Sequence, residues 1–141
     1  MLLADAAQTV GGKLYILGGG WTICGPGPTL MAMAIKLEVP VDQAGRAHDW
    51  SLTLLNDSGE RVLLEALDGQ QLPVDIKGKF EAGLLPDLPP GMPLDLSMAF
   101  TLGPLPLQPG SRFIWQLSID GQAPEEWQLA FWTRPMTPPS S

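Results

Sequence analysis

The chain has little of what most catalytic and metal sites are made of. Its 141 residues include one histidine, one cysteine and one tyrosine, and only 16% are Asp, Glu, Lys or Arg. A lone cysteine forms no internal disulfide, and a single Cys and a single His do not supply a conventional zinc site. A nucleophilic cysteine also needs a base and an electropositive setting, which its neighbours do not offer. The composition therefore predicts a protein without enzymatic activity, metal or cofactor.

Basic residues and long apolar runs are scarce as well. Lys and Arg number 8 against 15 Asp and Glu, which gives a net charge of −7. Nucleic acids and anionic membranes attract basic surfaces, so we expect neither as a partner. No apolar run approaches the roughly 20 residues of a membrane-crossing helix, and apparent sheet structure from Leu2 onward argues against a cleaved export signal. We therefore expect a soluble, cytoplasmic protein.

Apolar and polar residues alternate along most of the chain. Such alternation gives each strand one core face and one wetter face, which is typical of antiparallel sheets. We predict an all-β fold, an antiparallel β-sandwich of immunoglobulin-like, C2-like or jelly-roll-like type with about eight or nine strands. The alternating segments are residues 30–39, 48–54, 74–81, 92–102, 113–119 and 127–131.

Glycine and proline, with 16 and 15 residues, punctuate these strands. Asp-Gly pairs at 68–69 and 120–121 lie between alternating segments and are typical of tight hairpin turns. Proline-rich connections are expected to cross between the sheets, because proline cannot join a strand ladder. We predict one domain over residues 1–134 and a disordered Pro/Ser-rich tail over residues 135–141.

The N-terminal segment combines a short hairpin with a glycine triplet. It reads LLADAAQ, turns at Gly11 and Gly12, and returns as GKLYILGGGW. The triplet at residues 18–20 lacks the phosphate-loop pattern, and no helix follows it. We interpret it as a bulge, a bend or a close approach of another backbone or of Trp21.

These N-terminal motifs resemble a family of small bacterial proteins of unknown function, seen largely in actinobacteria and related soil lineages. The segments MAMAIKLEVP (31–40), LPPGMPLDL (88–96) and LPLQPGSRFIWQLSIDG (105–121) resemble the same family. The resemblance spans about residues 2–121 and implies a compact, β-rich cytoplasmic protein. No activity is attached to that family, so the resemblance implies no functional residues.

Several apolar side chains fall on strand faces opposite the predicted core. A soluble protein rarely leaves such a surface bare, and aromatic residues dominate the energetics of interfaces. We therefore predict a non-enzymatic interaction or assembly module that docks through an apolar sheet face or edge. Its partner would be a second copy or a larger protein complex. The predicted interface residues are Trp132, Trp21, Tyr15, Leu17 and Ile114.

An alternative function is the binding of a small ligand or a carbohydrate. It depends on Trp21 as an aromatic platform, flanked by the polar residues Asp5 and Gln8 of an otherwise apolar first strand. Loop carboxylates are too dispersed to form a dense calcium motif. His48 and Asp49 are adjacent in a predicted strand and point to opposite faces, so we do not expect them to cooperate.

Overall fold

The chain folds into two sheets packed face to face. The computed structural model describes residues 1–83 and 87–137, and apart from the 3₁₀ turns Val41–Gln43 and Glu125–Trp127 its regular structure is strand. The strands are β1 (Leu2–Val10), β2 (Lys13–Gly19), β3 (Ile23–Cys24), β4 (Thr29–Val39), β5 (Ala47–Asn56), β6 (Leu63–Glu65), β7 (Gln71–Pro73), β8 (Asp75–Glu81), β9 (Leu94–Leu105), β10 (Arg112–Ile119) and β11 (Gln128–Thr133).

The sheet order confirms the predicted sandwich. One sheet has four strands in the order β2-β1-β4-β9, and the other has five in the order β3-β11-β10-β5-β8. Strands β6 and β7 form a separate hairpin. The β3–β11 pair is parallel, and the other strand pairs in the described part of the chain are antiparallel.

Residues 1–83 and 87–137 form eleven strands, more than the eight or nine predicted. The three shortest, β3, β6 and β7, have only two or three residues, which is too few to show an alternating pattern. The tail predicted at residues 135–141 lies outside the described residues from 138 onward. Within residues 1–83 and 87–137, no helix is long and apolar enough to cross a membrane.

The core lies between the inner faces of the two sheets. Odd-numbered residues of β4 and even-numbered residues of β5 point inward, as the alternation predicts. Burial of these side chains is the main favourable term in such a fold. The largest fully buried side chains are Trp115, Phe131, Leu3, Met31, Met33, Ile35, Leu52, Leu54 and Leu117.

A glycine in the edge strand β8 makes room for a core tryptophan. Gly78 lies opposite Trp50 of β5, and a Cβ atom at Gly78 would come within 2.8 Å of the indole ring. The same ring contacts Phe100 of the other sheet, with ring centroids 4.8 Å apart. Trp50 is therefore held between both sheets and has little freedom to move aside.

We expect Gly78→Ala to destabilise the fold, because the added methyl group overlaps the Trp50 indole. Overpacking of this kind costs about 1–3 kcal/mol. Gly83→Ala is the matched control, since a Cβ atom there meets nothing within 4 Å. Chemical denaturation gives the free energy of unfolding of both variants. Equal stability would mean that the Trp50 ring adjusts without cost.

Candidate functional site

The first two strands continue beyond the sheet as a two-stranded ribbon. β1 pairs with β4 only at residues 2–4, whereas it pairs with β2 as far as Val10. None of the side chains of residues 5–20 is buried, and only Ala7 and Leu14 among them are half-buried. We call residues 5–20 the apolar ribbon. Most side chains of the apolar ribbon are therefore accessible to solvent.

Two of the predicted interface residues lie together on this apolar ribbon. Tyr15 is opposite Gln8 and Leu17 is opposite Ala6, so both side chains belong to one face. Tyr15 is 51% exposed and Leu17 is 72% exposed. Val10, which is also exposed, extends the same face toward the turn. The hairpin thus groups these three exposed apolar side chains on one face.

The outer edge of the apolar ribbon is poorly protected against pairing with another strand. β2 is an edge strand of its sheet, and Lys13 is its only charged residue. β9, the opposite edge, faces the β6–β7 hairpin across a cavity along residues 101–105. Charged side chains are the usual protection of sheet edges. Edge strand β8 carries four of them, Asp75, Lys77, Lys79 and Glu81.

The residues of the predicted ligand site lie apart from the cavities. Neither the cavity beside β9 nor the larger groove described below is lined by Asp5, Gln8 or Trp21. Asp5 places its carboxylate where a Cβ of Gly18 would be, so the close approach at this glycine comes from the Asp5 side chain and not from another backbone or from Trp21. Gln8 faces outward opposite Tyr15. Trp21 is half-buried against the core, and its Nε1 is buried without a hydrogen-bond partner in the described chain.

Trp132 and Ile114 lie on the outer face of the five-stranded sheet. Trp132 is 45% exposed and has Arg112 and Ile23 as cross-strand neighbours. The Arg112 guanidinium is 5.5 Å from the indole centroid, within the range of a cation–π contact. Ile114 is only 9% exposed between its neighbours in β5 and β11. Because it has almost no free surface, we leave Ile114 out of the interface proposed below.

A groove opens into the sandwich at the end where β4 is no longer paired with β1 and β10 is no longer paired with β11. β1 pairs with β4 no further than Ala34, and β11 pairs with β10 no further than Gln116. The groove has a volume of about 850 Å³ and is lined by all of residues 35–40. A strand face would contribute alternate residues, so an unbroken run means that β4 presents its edge. We call this cavity the β4 groove.

The β4 groove has an apolar floor and an acidic rim. The floor is formed by inner-face side chains of both sheets and by Trp127. One rim residue is basic, Lys36, and its Nζ lies 3.6 Å from a carboxylate oxygen of Asp95. The acidic side chains of the lining are Glu38, Asp120 and Glu126.

At one end of the β4 groove a buried histidine meets two hydrogen-bond acceptors. His48 Nδ1 lies 2.7 Å from Asp120 Oδ2, and its Nε2 lies 2.8 Å from the backbone oxygen of Gln43. Both partners are hydrogen-bond acceptors, so the arrangement suits an imidazolium that donates from both ring nitrogens. The bond to Asp120 and then the bond to Gln43 raise the pKa of His48 above its usual 6.5. The ring also stacks on Phe80, with centroids 5.1 Å apart.

Asp120 is tied to the neighbouring strand as well. Its Oδ1 accepts the backbone N–H of Asp49 at 3.0 Å. The bond from His48, followed by that from Asp49, lowers the pKa of Asp120 below 3.8. With both ring nitrogens engaged, His48 has no free nitrogen for a substrate proton. We interpret the pair as a structural tie between β5 and the turn after β10.

Sequence reasoning missed this pair because the two residues are 72 positions apart. The sequence offers Asp49 and Cys24 as partners of His48, and the structure assigns the role to Asp120 instead. The signal in the sequence is the Asp-Gly turn at 120–121. Only the register between β5 and β10 shows that this turn lies beside His48. Within the described ranges, no three His, Cys, Asp or Glu side chains come together as a metal site.

We expect the imidazole of His48 to titrate above pH 6.5, and Asp120→Asn to lower its pKa toward that value. The carboxylate is the largest cause of the raised pKa, and the Gln43 carbonyl remains in the variant. His48 is the only histidine of the chain, so NMR of its ring protons gives the pKa without assignment ambiguity. A wild-type pKa at or below 6.5 would contradict the double-donor arrangement.

We also expect the stabilisation by this pair to depend on pH in a defined way. The raised pKa of His48 stabilises the fold fully below pH 6.5, and this contribution is lost as the pH rises through the folded-state pKa. The lowered pKa of Asp120 stabilises it above pH 3.8, and this contribution is lost as the pH falls through its folded-state pKa. The stability difference between wild type and Asp120→Asn should therefore be largest between pH 3.8 and 6.5, as measured by denaturation at several pH values. A difference that grows above pH 8 would contradict this sign.

Comparison with known proteins identifies a family without identifying an activity. The model of a family of unknown function, DUF6941, matches residues 1–131. This confirms the resemblance to an uncharacterised family. No curated protein and no solved structure matches the chain. Since the family model spans nearly the whole sequence, the chain belongs to DUF6941, a family of unknown function.

Proposed function

We propose that this protein is a non-enzymatic assembly module that pairs with a second copy of itself through the free edge of β2. The observation that carries the proposal is the apolar ribbon, whose edge strand displays Tyr15 and Leu17 and has a single charge. Two β2 edges related by a two-fold axis satisfy each other's backbone groups and join the two four-stranded sheets. The same contact covers apolar side chains of both copies.

The distribution of charge supports the apolar ribbon as the contact surface. Each copy carries a net charge of −7, so two copies repel each other over most of their surfaces. Residues 5–20 contain one acid, Asp5, and one base, Lys13. Two copies that meet at this neutral segment face the least repulsion.

We propose Trp132 as a second anchor of the same interface. The chain leaves β2 through Trp21 and enters β3, where Ile23 lies beside Trp132. Strand β2 of the apolar ribbon and strand β3 of the five-stranded sheet are thus linked by a connection of three residues, 20–22. Trp21 is half-buried and, in this proposal, holds the ribbon to the sandwich instead of contacting the partner directly.

Ligand or carbohydrate binding at Trp21 has weaker support. A stacking platform needs an open aromatic face beside hydrogen-bonding groups, whereas Trp21 packs against the core. Asp5 lies against Gly18, and Gln8 belongs to the ribbon face with Tyr15.

For the cellular setting of this protein we propose a bacterial cytoplasm, as the resemblance of the LLADAAQ and GKLYILGGGW motifs to actinobacterial proteins implies.

We expect Leu17→Lys to convert a dimer into a monomer. Full burial of a leucine contributes about 1.5–2 kcal/mol, and the residue occurs twice in a two-fold interface. The loss of about 3 kcal/mol corresponds to a rise in dimer Kd of about a hundredfold. Analytical ultracentrifugation over a concentration series measures both constants.

Leu67→Lys is the matched control for this experiment. Leu67 is a fully exposed leucine in the turn between β6 and β7, so its replacement adds the same charge away from the ribbon. It should leave the dimer Kd unchanged, and both variants should keep the wild-type circular dichroism. A wild-type protein that stays monomeric at about 1 mM would refute self-pairing, because that concentration reveals even a Kd of about 1 mM.

A further inference from the structure

The β4 groove contains a strand edge that lacks a strand. Residues 35–39 pair with β9 on one side. On the other side, their backbone groups meet no strand, turn or side-chain partner within residues 1–83 and 87–137. Alternate N–H and C=O groups along five residues therefore remain open for pairing. Such an edge is about 17 Å long.

We propose that an extended, basic segment of a partner protein binds in the β4 groove as an added strand. It would occupy the side of β4 that β1 occupies at residues 2–4, beyond the end of their pairing at Ala34. Main-chain hydrogen bonds supply affinity in this mode of recognition, and alternate side chains supply specificity. The proposal is independent of the pairing through β2, because the groove and the apolar ribbon share no residue.

The floor of the β4 groove defines the inward-facing side chains of the segment. Successive side chains of an added strand point alternately into the sandwich and away from it. Those that point inward meet Leu37, Leu117 and Trp127, which are all in the lining. These positions therefore suit aliphatic residues such as valine or isoleucine.

The rim of the β4 groove defines the outward-facing side chains. Glu38 lies directly opposite Asp95 in β9, and like charges at such a position are destabilising. Lys36 is paired with Asp95, and Glu38 has no salt bridge among the described residues. A lysine or arginine on the added strand would lie beside Glu38 and offset the repulsion. Glu126 adds to the same negative field.

The probe is a seven-residue peptide in which lysine alternates with valine, capped at both ends and titrated into the full-length protein by calorimetry. Two further versions of the peptide carry backbone N-methyl groups at alternate residues. One version blocks the N–H groups along one edge of the extended peptide, and the other version blocks those along the opposite edge. Only the edge that faces β4 needs its N–H groups. One N-methylated version should therefore lose at least tenfold in affinity, while the other binds like the parent.

Charge reversal at the rim tests the predicted basic character. Glu38→Lys combined with Glu126→Lys should weaken binding about tenfold, since each exposed ion pair contributes about two- to fivefold. Glu60→Lys combined with Glu65→Lys is the matched control, because these exposed acids change the net charge equally and lie outside the β4 groove. The Leu17→Lys variant should bind the peptide with wild-type affinity, which would distinguish peptide binding in the β4 groove from self-pairing through β2.

Four results would overturn the proposal. They are no binding at about 1 mM peptide, equal losses from both N-methylated versions, equal affinity for a peptide with glutamate in place of lysine, and release of a bound second copy when the peptide is added. The last result would mean that the groove is occupied by another molecule of this protein. Binding that is selective for one N-methylated edge and for basic side chains supports the added strand.

Discussion

The structure depends on the packing of one apolar face of each sheet against the other. Trp115 and Phe131 from one sheet and Met33 from the other are fully buried in that interface. This packing uses only the inner half of each strand, so it places no demand on the strand edges. Which strand edges remain free to bind a partner is therefore decided by where the neighbouring strands begin and end.

The strands of this sandwich differ greatly in length, and the free surfaces follow from the mismatch. β4 and β9 have 11 and 12 residues and pair along almost their whole length. β1 follows β4 for only three residues and then continues with β2 alone. The shortness of this pairing leaves two features, the apolar ribbon beyond one end of it and the β4 groove beyond the other.

Sequence reasoning reached the layer architecture because alternation is a local property. The alternation within each long strand identifies the face that is buried, so the sandwich could be predicted without knowing which strands pair with each other. Burial of a particular outer-face residue is not local. Ile114 and Leu17 are both apolar residues on strands, yet Ile114 has neighbours on both sides and Leu17 lies on an edge strand. The same limit explains why the His48–Asp120 pair and the β4 groove needed the register of the sheets.

The two free edges have different surroundings, and this difference favours different occupants. The edge of β2 lies on an exposed ribbon with apolar side chains, so an entire second sheet can approach it. The edge of β4 is recessed between the two sheets and faces Trp127 and Leu117, which leaves room for one strand with alternating side chains. A recessed edge excludes other sheets by its shape, and this serves the same purpose as the charges of β8. Because the two edges share no residues, the proposed pairing and the proposed strand addition are compatible in one molecule, joined only through the short β1–β4 pairing.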